Sequence, residues 1–138
     1  MTDIVEAVRA YFGGAAPEGI VSAYLFGSHG RGTPHRDSDV DVAVLFDRAA
    51  VPDRGERGRR AIGLSAALVA ATHRNAVDVV MLNDAPPELA VAAVSGVRVY
   101  AADPAADHAY ARTARLRLGD LRPFLDRNRR VKLEALAR

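Results

Sequence analysis

The sequence contains no cysteine, which excludes disulfides, thiolate metal sites and cysteine nucleophiles. It has no apolar run long enough to span a bilayer. The first residues, MTDIVEAVRAYFGG, lack a basic segment followed by an unbroken apolar stretch, so no signal peptide is expected. A cytoplasmic protein with no membrane partner is the expectation. Net charge is only +2, and the isoelectric point of about 9.4 reflects the number of arginines rather than a large field at neutral pH. Aromatic residues make up 6% of the chain. Near the basic C-terminal stretch only Tyr110 and Phe124 occur, too few to stack bases. Direct binding of nucleic acid is therefore not expected.

What is present fits one ordinary domain over residues 1–138. Hydrophobic residues account for 49% and charged residues for 26%, proportions typical of a globular core with a solvated surface. Ile4, Val5, Val8, Tyr11 and Phe12 recur at helical spacing, with Gly13-Gly14 as the expected stop. Ile20 to Phe26 is β-branched and aromatic between glycines, and reads as a strand. A polar loop from Gly27 to Ser38 leads to a second strand, Asp39 to Phe46, whose far half is wholly apolar and should be deeply buried. Ile62, Leu64, Ala67, Leu68 and Ala71 form a helical stripe, followed by a third strand from Ala76 to Leu82. Pro86 opens a short helix to Val94, Val97 to Ala101 is a short strand, and the chain is helical from about Ala105 onward. In this last region Leu116, Leu118, Leu121, Phe124 and Leu125 are candidate core residues, and Pro123 is expected to break or kink it. The order α-β-β-α-β-α-β-α predicts an α/β (α+β) fold with a small mixed sheet flanked by helices. The catalytic core would occupy about 15–102, and a long C-terminal helical region about 104–138.

Three aspartates lie in strands that are otherwise apolar: Asp39, Asp41 and Asp78. Asp is depleted in strands and is rarely buried without a partner. Residues two apart on a strand share a face, so Asp39 and Asp41 present their carboxylates side by side. If the third strand lies beside the second, Asp78 joins them. Converging carboxylates repel, and an all-oxygen donor set suits Mg²⁺ or Mn²⁺. Two magnesium ions about 3.5–4 Å apart form the clamp of nucleotidyl transfer. Asp78 would act there as ligand, as general base, or as both. A pair of aspartates at a solvated strand end is the plainer reading of Asp39 and Asp41 taken alone. Gly27-Ser28 directly follows the first strand; a glycine there lets backbone amides approach a phosphate, and the serine adds a hydroxyl donor. Taken alone, that pair is a turn. Gly30 and Gly32 keep the loop open, and Arg31 is placed to meet triphosphate oxygens.

Gly27-Ser28-His29-Gly30-Arg31-Gly32 followed by Ser38-Asp39-Val40-Asp41, with Asp78 in a later strand, resembles the DNA polymerase β-type nucleotidyltransferase superfamily. More narrowly, it resembles the superfamily's minimal nucleotidyltransferase branch. The resemblance implies that Gly27, Ser28, Arg31 and Gly32 hold the nucleotide, that Asp39 and Asp41 hold both metals, and that Asp78 completes the catalytic set. The run Val77 to Leu89, the segment Tyr100 to Asp103 and the basic C-terminal helix are similar to those of the MntA antitoxins. That family implies a protein adenylyltransferase that uses ATP and magnesium to attach AMP to a tyrosine of its partner, a HEPN-type RNase toxin (HepT). Two alternatives remain at this stage: a transferase for a small aminoglycoside-like hydroxyl, and a non-catalytic antitoxin acting by contact. Arg112, Arg115, Arg117, Arg122, Arg127, Arg129, Arg130, Lys132 and Arg138 form either a docking surface or simply a solvated helix face. Scattered His29, His35, His73 and His108 have no metal-ligand spacing.

Overall fold

The computed structural model describes residues 3–27 and 40–137, with side chains through residue 120. Helix α1 (Ile4–Ala15) leads to strands β1 (Ile20–Phe26) and β2 (Val40–Phe46), then helix α2 (Arg54–Thr72). Strand β3 (Val77–Met81) and a 3-10 turn at Leu82–Asp84 follow, then helix α3 (Pro87–Val94), strand β4 (Val97–Ala101) and helix α4 (Pro104–Ala137). The predicted order of elements is the observed one.

The sheet order is β3-β2-β1-β4. Strand β1 pairs antiparallel with β2 and with β4, while β2 and β3 run parallel. Alternation along each strand divides the core into two layers. Val40, Val42, Val44 and Phe46 pack with Ile4, Val8 and Phe12 of α1 and with Leu64 and Leu68 of α2. On the other face Tyr24, Phe26, Ala43 and Leu45 pack with Ala93 and Val94 of α3 and Ala111 of α4. Phe12 stacks on Tyr100 with ring centroids 5.3 Å apart, fixing α1 over β4.

Side chains cap the N-termini of α1, α2 and α4. Asp3 accepts from the Val5 amide at 3.3 Å, Asp53 from Glu56 at 3.0 Å, and Asp103 from Ala106 at 3.1 Å. At the far end of β2, Asn83 accepts from the Phe46 amide at 2.9 Å and donates to its carbonyl at 2.8 Å. The side-chain amide thus continues the ladder where β3 has ended.

Four expectations need correction. Helix α1 runs through Gly13-Gly14 and stops at Ala16 in the left-handed region, because burial of Ile4, Val8 and Phe12 outweighs about 1 kcal/mol per helical glycine. Helix α2 buries Arg57, Ala61, Leu64 and Leu68, so its inward face is rotated from the expected one and Ile62 is 74% exposed. Leu116 is also exposed, at 63%, because α4 at that point turns the Ala111 and Ala114 side to the core. Helix α4 continues through position 123, so Pro123 does not break it there, although it removes one N–H from the ladder. The side chains of Leu121, Phe124 and Leu125 lie outside the described residues.

Candidate active site

Two strand pairings assemble the site. Phe26 lies opposite Asp41 in the antiparallel pair, and Asp41 is in register with Asp78 in the parallel pair. Register partners point to the same face, so Asp41 and Asp78 stand on neighbouring strands about 5 Å apart in backbone spacing. They rise from the face that carries α3 and α4, at the end of the sheet where β1 finishes and β2 and β3 begin. Behind them on the same face, Tyr24 and Ala43 are buried. Asp78 is exposed and Asp41 is half-buried, so the pair forms a polar rim on an apolar floor.

Gly27 closes the third side. Its φ is +72°, a conformation that favours glycine. A β-carbon at this position would lie 2.6 Å from Oδ2 of Asp41. Only hydrogen leaves room for the backbone to pass that close to the carboxylate. Ser28, Arg31, Gly32 and Asp39, the remaining sequence-predicted site residues, lie outside the described residues. Among the described residues no group of three Asp, Glu or His gathers to hold an ion. Asp41 and Asp78 nonetheless supply hard oxygen donors on one face, a donor set suited to Mg²⁺.

The neighbouring backbone is held from both sides. The Ser65 hydroxyl of α2 donates to the carbonyl of Val77, the residue before Asp78. Gly96 packs against β1 so tightly that a β-carbon there would sit 2.4 Å from the Leu25 carbonyl oxygen. Along the same strand, Ser22 and Tyr24 donate to Asp107 of α4. Ser22 Oγ reaches Oδ1 at 2.7 Å, and the Tyr24 hydroxyl reaches the two oxygens at 2.7 and 2.6 Å. Arg98 of β4 adds a contact at 3.1 Å. Asp107 is 2% exposed, and three side chains converge on it, as a buried carboxylate requires. Burial, reinforced by the bond to Asp107, pushes the Tyr24 hydroxyl well above the usual tyrosine range.

Neither Asp107 nor Ser22, both buried, stands out in the sequence. A serine inside an apolar strand was the available signal. Its partner lies 85 residues away and becomes visible only with the topology.

Fold and rim together define a nucleotidyltransferase domain. The family model for polymerase beta nucleotidyltransferases matches residues 14–105, and the chain belongs to that family. Among solved structures, a toxin–antitoxin complex with AMP-PNP is similar at a TM-score of 0.63 and 23% identity, covering 97% of this chain and 98% of that one. An MntA–HepT toxin–antitoxin structure gives a TM-score of 0.60 at 20% identity, with 98% and 97% covered. A complex of tri-AMPylated Shewanella oneidensis HEPN toxin with MNT antitoxin gives 0.60 at 18%, with 97% and 99% covered. A comparison with curated protein sequences found no match. Among the described residues no helix is long and apolar enough to cross a membrane.

Proposed function

We propose that this chain transfers AMP from ATP to a tyrosine of a HEPN-type RNase toxin and thereby acts as its antitoxin. The observation that carries this reading is the Asp41–Asp78 pair in register beside the tight Gly27 turn. The Gly-Ser segment and Asp39 continue that arrangement in the sequence. Similarity in fold to toxin–antitoxin complexes, one with AMP-PNP and one with an AMPylated HEPN toxin, supports the choice of nucleotide and acceptor. A partner of this kind acts on cellular RNA, so the reaction belongs in the cytoplasm.

In this reading Gly27 and Ser28 hold the triphosphate, with Arg31 and Gly32 in the same loop. Asp39, Asp41 and Asp78 hold two magnesium ions. When bound, these ions supply charge neutralisation on the phosphates and acidify the attacking hydroxyl. The tyrosine oxygen attacks the α-phosphorus, and the bond from that phosphorus to the oxygen bridging to the β-phosphate breaks. Pyrophosphate leaves, and the tyrosine proton passes to Asp78 or to water. Asp78 is the more exposed of the two carboxylates, as a group that meets a macromolecular acceptor should be.

Co-expression with the HEPN protein tests the proposal. Its intact mass should rise by whole AMP units, and the rise should vanish with Asp39→Ala/Asp41→Ala. Stable binding with no mass change would instead favour inhibition by contact.

A further inference from the structure

A cavity of about 300 Å³ lies at the end of the sheet remote from the carboxylates, between α3 and α4. Its apolar lining includes the buried residues Leu45, Leu82, Ala90 and Ala114. Leu45 is four residues beyond Asp41 on the same strand face, roughly 13 Å away at the strand rise. Buried Ala43 separates the two, so the cavity is not an extension of the nucleotide rim.

The polar groups around this cavity are unusual in kind. Among the described residues no acidic one lines it. The Tyr110 hydroxyl is committed to the Leu82 carbonyl at 2.6 Å. Both ends of the Asn83 side-chain amide are committed to Phe46, and the Asn83 carbonyl accepts from Arg48 at 2.8 Å. Among the described side chains, what remains for a ligand is the Thr113 hydroxyl and two guanidinium groups, Arg48 and Arg117. Both guanidinium groups lie close enough to the Tyr110 hydroxyl to act on it electrostatically. Arg48 approaches Asp84 only at 3.9 Å, and Asp84 is already shared with Arg54 and Arg57. Arg117 forms no ion pair with any described residue. A wall made chiefly of donors beside an apolar lining suits an acceptor-only group attached to an apolar body. The volume is at the small end of the range for small-molecule sites, about 300–1,000 Å³.

We infer that this cavity binds a small apolar carboxylate, its anion between Arg48 and Arg117 and its hydrocarbon on Leu45 and Leu82. The inference stands apart from the catalytic proposal, since it uses none of the same residues.

Titration of the ¹⁵N-labelled chain with 4-phenylbutyrate, and separately with neutral 4-phenyl-1-butanol, tests it by amide shifts. The acid should shift Asn83, Tyr110 and Thr113 saturably, and the alcohol should bind at least about tenfold more weakly. Arg117→Gln should erase most of that difference while leaving the alcohol unchanged. Equal affinity for acid and alcohol would overturn the inference, as would shifts confined to Gly27 and Asp78. Inorganic phosphate that perturbs the same amides as strongly would overturn the role given to the apolar lining.

Discussion

Gly27 and Asp41 meet across the β1–β2 pair so closely that a β-carbon on the first would lie 2.6 Å from Oδ2 of the second. The contact joins the end of one strand to the carboxylate at the start of the next. It makes position 27 sensitive in two ways: its φ of +72° disfavours any side chain, and the added carbon displaces a carboxylate that the proposal assigns to metal. Gly27→Ala should therefore reduce nucleotidyl transfer by at least tenfold while lowering stability by only about 1–2 kcal/mol. Turnover and urea unfolding measured on the same preparation separate the two effects.

Gly96 and Gly63 should respond to alanine in opposite directions. At Gly96 the new carbon meets the Leu25 carbonyl oxygen at 2.4 Å and Phe26 at 3.0 Å, a backbone clash expected to cost about 1–3 kcal/mol. At Gly63, inside α2, nothing lies within 4 Å. Gly63→Ala should raise stability by about 0.5–1 kcal/mol through helix propensity alone. Thermal unfolding of both variants checks the pair.

The strands were legible because their signals are local. Ile20 to Phe26 is a β-branched and aromatic run between glycines, and the observed strand has those bounds. The placement of Asp78 beside Asp41 was conditional on strand adjacency, which the parallel pairing supplies. The face of α2 was not legible. Its apolar residues are interrupted by glycines and arginines, and Arg57 turns inward to donate to the carbonyls of Val51 and Pro52 at 3.0 Å each. No pattern of hydropathy announces a buried arginine held by two backbone carbonyls and the Asp84 carboxylate. The Asp107 cluster was hidden for another reason, since its members come from β1, β4 and α4.

Removing the Asp107 carboxylate should be severe. Asp107→Ala leaves the Ser22 and Tyr24 hydroxyls and the Arg98 guanidinium facing a buried void, with an expected loss of about 3–5 kcal/mol. Tyr24→Phe removes a single donor and should cost about 1–3 kcal/mol. Chemical denaturation of the two variants should reproduce that order.

Tyr24 also gives a pH signature. Its ordinary value is 10.0, and burial together with Asp107 raises it in the folded chain. Above about pH 10 an unfolded chain gives up this proton while the folded one keeps it, so stability falls as pH rises through that region. Below pH 10 the contribution is fully present. Tyr24→Phe should flatten this alkaline decline. A smaller slope should remain from Tyr110, whose hydroxyl burial also pushes up. Urea midpoints measured from pH 8.5 to 11 report it; equal slopes in the two proteins would contradict the assignment.

The most direct test of the central claim follows the label of ATP in a reconstituted reaction. The purified chain and the proposed HEPN partner are incubated with magnesium and ATP labelled at the α- or at the γ-phosphate, beside an Asp41→Asn control. The α-label should become bound to the partner, the γ-label should leave in pyrophosphate, and Asp41→Asn should abolish transfer. Transfer of the γ-label to the partner, or α-labelling that survives Asp41→Asn, would contradict it.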